Sequence, residues 1–310
     1  MRRGRRALAV VVLLLAVGVA GAVARAGIKS VATTPPKAPA AGYTASPSAQ
    51  TARSSAPQRL SVACSSSSLG GKLPAIVYLP AGYRGGSKRY RVIYFLHGLP
   101  ANASSYRANQ FVGAAVSRGS SAAIVVAPQG ARSDNEDHEY LDLEPTQNWP
   151  QAIARDLTRC IDARFRTIAS RSGRALVGLS AGGYGAMNIG LRNLSTFGAV
   201  ESWSGYFEAT DPSGHHKLDL GSSQANAAAA VPRGAGLKAE INHYPTFIAF
   251  YVGRQDDRFA DDNESFDRAL AREGIPHLFR TYPGGHSGAL WTSESRLWLG
   301  YALGALARGA

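Results

Sequence analysis

The chain has 310 residues, of which 45% are hydrophobic and 18% are charged, as in an ordinary globular protein with one large core. Its formal net charge of +13 suits nucleic acid, an anionic membrane or an acidic polymer as a partner. The basic residues form no run of five and no interleaved aromatic platform, which argues against nucleic acid. A basic surface that faces an anionic cell envelope is the simpler interpretation.

The first segment of the chain has the features of an export signal. Arg2, Arg3, Arg5 and Arg6 precede an uncharged stretch from residue 7 to residue 24, which ends in a small-x-small cleavage pattern. A stretch of about 18 apolar residues is also just long enough to span a bilayer once. Residues 1–26 are therefore predicted to be either a cleaved signal peptide or a retained membrane anchor, and in both cases the rest of the chain is exported.

Two further regions follow this segment. Residues 27–58 are rich in Ala, Pro, Ser and Thr and are predicted to be a flexible linker, and residues 59–310 are predicted to form one folded domain. Cys64 and Cys160 lie in that domain, where they either form a disulfide or remain two buried thiols. Neither has a Cys or His nearby at ligand spacing, so no metal site is expected.

Short apolar runs alternate with helical patterns from Arg59 onwards. Most of the later strands are followed by a helix, which is typical of a mostly parallel sheet covered on both faces. The pattern predicts an α/β-hydrolase fold with eight strands. The predicted strands are Arg59–Ser65, Leu73–Leu79, Arg91–Leu96, Ala122–Ala127, Ala175–Leu179, Gly198–Trp203, Thr246–Val252 and His277–Tyr282. The predicted helices are Tyr106–Arg118, Pro150–Phe165, Ala181–Asn193, Asp262–Glu273 and Ser287–Ala307.

A candidate nucleophile lies where one of these strands meets a helix. Ser180 is flanked by Gly178 and Gly182, the small residues that a tight strand-to-helix turn needs two positions before and after its serine. Such a turn projects the hydroxyl above the sheet. The amide of Ala181, at the start of the following helix, is then predicted to donate to an oxyanion, where the helix N-terminus favours negative charge.

The base and the acid of a serine triad follow the nucleophile along the chain in this fold. His286 lies in a glycine-rich loop directly after the last strand, at the same sheet edge as Ser180, and is predicted to be the general base. The acid is expected after the preceding strand, where Asp256 and Asp257 both stand. The second oxyanion donor is predicted to be the amide of Leu99, after an early strand that ends in His-Gly.

These motifs together resemble the putative-esterase family of α/β-hydrolases, which includes esterase D, feruloyl esterases and the mycobacterial mycolyltransferases. The resemblance runs from about Leu73 to Trp298. It implies that Asp256, which completes a Gly-x-x-Asp pattern with Gly253, is the acid rather than Asp257. The motifs that carry it are Leu96-His97-Gly98-Leu99, Gly178-Leu179-Ser180-Ala181-Gly182-Gly183, Ser204-Gly205-Tyr206-Phe207, Gly253–Asp256 and Gly284-Gly285-His286.

The sequence therefore predicts an exported serine carboxylesterase that needs no cofactor. Its expected substrate is a small-molecule ester or an ester of the cell envelope, including its polysaccharides. Residues 208–242 are predicted to cap the site and select the substrate. Two alternatives remain: an acyltransferase that moves the acyl group to a sugar or polyol, and an inactive protein that binds the envelope.

Overall fold

The computed structural model describes residues 56–99, 102–131, 140–142, 146–211 and 215–309. The predicted signal or anchor segment and nearly all of the predicted linker lie outside the described residues. The first strand begins at Gln58, one residue before the predicted start of the domain. No helix in the described ranges is both long enough and apolar enough to cross a membrane.

Eight strands form one sheet in the order β1-β2-β4-β3-β5-β6-β7-β8. The β1 and β2 strands pair antiparallel, β2 also runs antiparallel to β4, and the strands from β3 to β8 are parallel. This arrangement confirms the predicted α/β-hydrolase fold. The first and last residues of every strand lie within two residues of their predicted positions. The strands are β1 Gln58–Ser66, β2 Gly71–Leu79, β3 Val92–Leu96, β4 Ile124–Pro128, β5 Arg174–Leu179, β6 Ala199–Trp203, β7 Phe247–Gly253 and β8 Leu278–Tyr282.

Helices cover both faces of the sheet. On one face α1 and α7 share a core with β-strand residues such as Ile93 and Phe95, and on the other face α2, α3 and α6 share a core with Tyr94, Leu96 and Phe250. Because both faces are covered, β3 and β4 are buried along their whole length and consist of continuous apolar runs. The helices are α1 Gln110–Ala115, α2 (Trp149–Gln151, a π-helical segment Ala152–Leu157 and Thr158–Arg164), α3 Ala181–Gly190, α4 Ser223–Ala229, α5 Ala235–His243, α6 Ala260–Arg272 and α7 Gly288–Arg308.

Two of these helices, α4 and α5, lie in the segment that the sequence analysis left without helices. The α4 helix is rich in alanine, which has the highest helix propensity, and the side chain of Ser222 caps its first turn by accepting from the Ala225 amide. The predicted capping segment thus contains two short helices. Its sequence lacks a strong apolar periodicity because only Ala229 of α4, and Leu237 and Ile241 of α5, are buried.

A disulfide joins β1 to α2. Cys64 and Cys160 are bonded, with their Cα atoms 5.8 Å apart, so the two cysteines are not free thiols. The carboxylate of Asp156, on the same helix, accepts from the Ser66 hydroxyl at 2.8 Å and from the Ser68 amide at 3.2 Å. A covalent bond and a charged acceptor therefore fix the edge hairpin against α2.

Candidate active site

The turn between β5 and α3 holds Ser180 in an unusual backbone conformation. Its φ is +53°, which is uncommon for a residue with a side chain, and its amide donates to the Trp203 carbonyl at 2.8 Å. A Cβ atom on Gly178 would lie 2.0 Å from the Gly182 carbonyl oxygen, and one on Gly182 would lie 2.2 Å from the Leu96 oxygen. Both glycines are therefore required by backbone approach, as the sequence pattern predicted.

Three of the predicted site residues are brought into contact from three separate loops. The Nε2 atom of His286 lies 3.0 Å from the Oγ atom of Ser180, and its Nδ1 atom lies 2.8 Å from the Oδ2 atom of Asp256. Asp256 is completely buried, whereas Asp257, the other acid considered, is exposed. The structure thus distinguishes between the two adjacent carboxylates by burial and by contact with the imidazole.

The loops that carry Asp256 and His286 are bonded to each other. The Gln255 amide donates to the Gly284 carbonyl at 2.9 Å, and the Gly284 amide donates to the Gln255 side chain at 2.7 Å. A Cβ atom on Gly253 would lie only 2.2 Å from the Gly284 oxygen. These contacts fix the distance between acid and imidazole through the backbone, so neither side chain needs a long reach.

The turn after β3 approaches the serine from the other side. A Cβ atom on Gly98 would lie 2.9 Å from the Ser180 Cβ atom, so the backbone next to Leu99 packs directly on the serine. The Tyr140 hydroxyl donates to the His97 carbonyl at 2.8 Å and braces this turn. Burial lowers the pKa of His97, which keeps that imidazole neutral.

Both predicted oxyanion donors stand at backbone positions next to Ser180. Ala181 is the first residue of α3, and the first amides of a helix have no partner within the helix. Leu99 follows Gly98 in the turn that packs on the serine and is partly buried. The amides of Ala181 and Leu99 therefore stay the predicted oxyanion donors.

Two aromatic residues beside the imidazole were not predicted as part of the site. The rings of Phe259 and Trp291 contact His286 edge to face, with centroid distances of 5.2 and 5.0 Å. The Trp291 indole donates to the Ser204 hydroxyl at 3.1 Å, and Ser204 has a φ of +48°. Trp291 lies in the first turn of the helix that follows His286, and no sequence signal singled it out as part of the site.

The site carries no obvious place for a metal ion. Among the described ranges, no group of three or more His, Cys, Asp or Glu side chains is arranged to hold one. The chemistry available is that of a hydroxyl, an imidazole and a buried carboxylate in series, beside backbone amides that can face a developing negative charge.

Curated relatives are similar to this chain in sequence. Two esterases of Mycobacterium tuberculosis, Esterase MT1326 and Esterase Rv1288, are each 28% identical to this chain over 235 residues, which cover 68% of it and 51% of the relative. The chain thus spans about half the length of these curated relatives.

Solved structures share the fold. A ferulic acid esterase superposes with a TM-score of 0.68 at 24% identity, covering 80% of this chain and 99% of that one. An S-formylglutathione hydrolase from Staphylococcus aureus superposes with a TM-score of 0.61 at 20% identity, covering 80% and 100%. The family model Esterase, described as "Putative esterase", matches residues 66–294, which is most of the 310-residue chain. The chain therefore belongs to the putative-esterase family, as its motifs predicted.

Proposed function

We propose that this protein is an exported serine carboxylesterase in which Ser180 is the nucleophile. The observation that carries the proposal is the series of contacts from Ser180 through His286 to Asp256, at 3.0 and 2.8 Å. In this role His286 takes the hydroxyl proton while the Ser180 oxygen attacks the ester carbonyl carbon. The amides of Ala181 and Leu99 stabilise the oxyanion of the tetrahedral intermediate.

The intermediate collapses when the bond to the alcohol oxygen breaks. His286 gives its proton to the departing alcohol, which leaves an acyl group on Ser180. Water then gives a proton to His286 and attacks the acyl carbonyl, which releases the acid and restores the serine hydroxyl. Asp256 holds the imidazole in the tautomer with hydrogen on Nδ1 and stabilises the imidazolium at each step, because its carboxylate is buried against that nitrogen.

The proposed location outside the cytoplasm rests on two features. Residues 1–26 have the pattern of a signal peptide or anchor, and the following residues to 58 have linker composition. The bonded pair Cys64–Cys160 supports the same location, because disulfides persist in oxidising compartments. The mature mass of the exported protein distinguishes signal from anchor, since only a signal peptide is removed.

Hydrolysis of a panel of p-nitrophenyl esters, with fluorophosphonate labelling, tests the proposed nucleophile. We expect Ser180→Ala to lower kcat by about 10⁶-fold and to abolish labelling, because the attacking oxygen is lost. Ser120→Ala, at an exposed serine, is the matched control and should react and label like the wild type. Folded wild-type protein that neither turns over any ester nor labels at Ser180 would contradict the proposal.

The products identify the acceptor of the acyl group. With an ester donor and added glycerol or trehalose, a carboxylesterase releases the free acid in proportion to the alcohol it forms. A new glycerol or trehalose ester that depends on Ser180 would identify the protein as an acyltransferase instead. Mass spectrometry of both products, at several acceptor concentrations, makes this distinction.

A further inference from the structure

The distribution of charge along the chain is strongly uneven. The first of the 21 acidic residues is Asp134, although basic residues are present from Arg2 onwards. The first β-strands and their loops therefore carry only positive charge. Electrostatic asymmetry of this kind indicates a partner of opposite charge rather than a general adjustment of solubility.

The fold gathers part of this charge into a basic patch, which we define as Arg84, Lys88, Arg89, Arg164 and Arg166. Arg84, Lys88, Arg89 and Arg164 are exposed, and Arg166 is partly buried. The Arg166 side chain donates to the Lys88 carbonyl at 3.1 Å, and the Arg89 side chain donates to the Thr167 carbonyl at 3.0 Å. These bonds hold the loop before β3 and the loop after α2 together.

No carboxylate neutralises the patch from its own loops. Between residues 80 and 91 there is no acidic residue, and between 159 and 174 the only one is Asp162. Asp162 accepts from the Thr167 hydroxyl and forms an ion pair with Arg174, so its charge is already compensated. Exposed guanidinium and ammonium groups on the patch are thus available to an external anion.

The patch lies on the opposite edge of the sheet from Ser180. Arg89 lies three residues before β3, whereas Gly98, two residues after β3, packs on the serine. A strand of this length places the two edges roughly 17 Å apart or more. A surface that covers the patch therefore leaves the candidate active site open on the far side.

The chain enters the folded domain beside the patch. The side chain of Arg84 donates to that of Gln58 at 2.8 Å, and Gln58 is the first residue of β1. The predicted linker and the apolar segment from residue 7 to residue 24 therefore join the domain at this edge. A random coil with the length and composition of the predicted linker spans about 30 Å, so a membrane that received the apolar segment would lie within reach of the basic patch.

We propose that the basic patch docks the domain onto the anionic phospholipid surface of the membrane that receives the N-terminal segment. Lysine and arginine side chains near such a surface are attracted to its negative potential, and the linker supplies a high local concentration. The attraction acts within about 10 Å at 0.1 M salt, so docking requires the patch itself to meet the lipid headgroups. The catalytic edge is then directed away from the bilayer.

Hydrogen exchange of the full chain on lipid vesicles tests this orientation. Vesicles of phosphatidylcholine with about one third phosphatidylglycerol are compared with vesicles of phosphatidylcholine alone, both at 0.1 M salt. We expect peptides covering residues 80–91 and 164–172 to exchange about 10-fold more slowly on the anionic vesicles, because contact with headgroups shields their amides. Peptides covering residues 283–291, at the catalytic edge, should exchange equally on both.

A charge-matched pair of triple variants identifies the patch as the cause. Arg84→Gln, Lys88→Gln and Arg89→Gln together should abolish the protection, as three charges near the surface contribute roughly 100-fold in binding. Arg268→Gln, Arg272→Gln and Arg296→Gln together remove the same charge from exposed positions elsewhere. This second triple variant should keep the protection from exchange on anionic vesicles. Raising the salt to 0.5 M should remove the protection from the wild type.

Three outcomes would overturn the proposal. Equal exchange on the two kinds of vesicle would show that anionic lipid is not the partner, and loss of protection in both triple variants would show that net charge alone acts. Protection of residues 80–91 by dextran sulfate but not by anionic vesicles would assign the patch to a soluble acidic polymer. None of these outcomes depends on whether Ser180 is catalytic.

Discussion

Two regions of the molecule are built by different rules: the candidate catalytic edge, with the loops of Ser180, Asp256 and His286, and the helical segment, which holds α4 and α5. At the catalytic edge, backbone packs on backbone, and a methyl group on Gly182 would lie 2.2 Å from a carbonyl oxygen. In the helical segment, a Cβ atom on Gly236 would meet nothing within 4 Å, and α4 attaches through a few side-chain bonds. The first region is constrained by close backbone contact, and the second keeps its freedom to vary. Substitutions should therefore cost more stability in the first region than in the second.

The strongest test of the catalytic edge compares its two adjacent carboxylates. Asp256→Asn should lower kcat for p-nitrophenyl acetate by about 10⁴-fold, because the amide cannot hold the imidazole in the required tautomer or stabilise its cation. Asp257→Asn should change kcat by less than about twofold, since Asp257 is exposed. Steady-state kinetics at pH 7 measure both. A larger loss of kcat in Asp257→Asn than in Asp256→Asn would contradict the assignment of Asp256 as the acid.

A pair of glycine substitutions tests the contrast in packing directly. Gly182→Ala should lower the free energy of unfolding by about 3 kcal/mol or more, because its methyl group overlaps the β3 backbone. Gly236→Ala, inside α5, should raise it by about 0.5 to 1 kcal/mol, because alanine loses less backbone entropy in a helix. Urea unfolding measures both changes. Similar changes in the two variants would show that helix propensity, and not the neighbouring backbone, determines how Gly182→Ala alters the free energy of unfolding.

The strand beneath the catalytic edge contains a buried acid whose ionisation is coupled to folding. Burial raises the pKa of Glu201 to about 8, although the Trp203 indole and the Tyr251 hydroxyl both donate to it. Below its unfolded pKa near 4.5 the group is protonated in both states and has no linkage to pH. Between that value and about 8 the unfolded chain releases the proton first, so stability falls as the pH rises.

This linkage predicts a slope that one variant removes. The wild type should lose up to about 1.4 kcal/mol of unfolding free energy per pH unit between pH 5 and 8 from this group. Glu201→Gln keeps a neutral hydrogen-bonding side chain and should flatten that part of the profile. Urea titrations at four pH values provide the comparison. An unchanged slope in the variant would attribute the pH dependence to other groups.

The smallest expected effect is in the attachment of the helical segment. The Tyr184 hydroxyl, on α3, donates to the Ala229 carbonyl at 2.6 Å. Tyr184→Phe should lower the unfolding free energy by about 1 kcal/mol, because a buried carbonyl loses its donor, and should alter kcat for a small ester by less than about threefold. A loss of kcat comparable to that of Asp256→Asn would show that the segment positions the catalytic groups themselves.

Much of the architecture could be predicted because it is encoded locally. Every strand was placed within two residues, since a buried parallel strand is a continuous apolar run bounded by turn residues. The glycines around Ser180 and the position of His286 after the last strand were likewise visible in the sequence. The helices α4 and α5 were not assigned, because only a few of their side chains are buried and the apolar periodicity is weak.

The sequence by itself determined the fold, the serine turn and the order of the candidate acid and base, because each depends on neighbouring residues and on a fixed strand order. Only the tertiary structure showed that Asp256, and not Asp257, is buried against His286, brought Phe259 and Trp291 against the same imidazole, and bonded Cys64 to Cys160. It also gathered scattered basic residues into one patch. These features depend on distances between segments far apart in the chain, which only packing fixes.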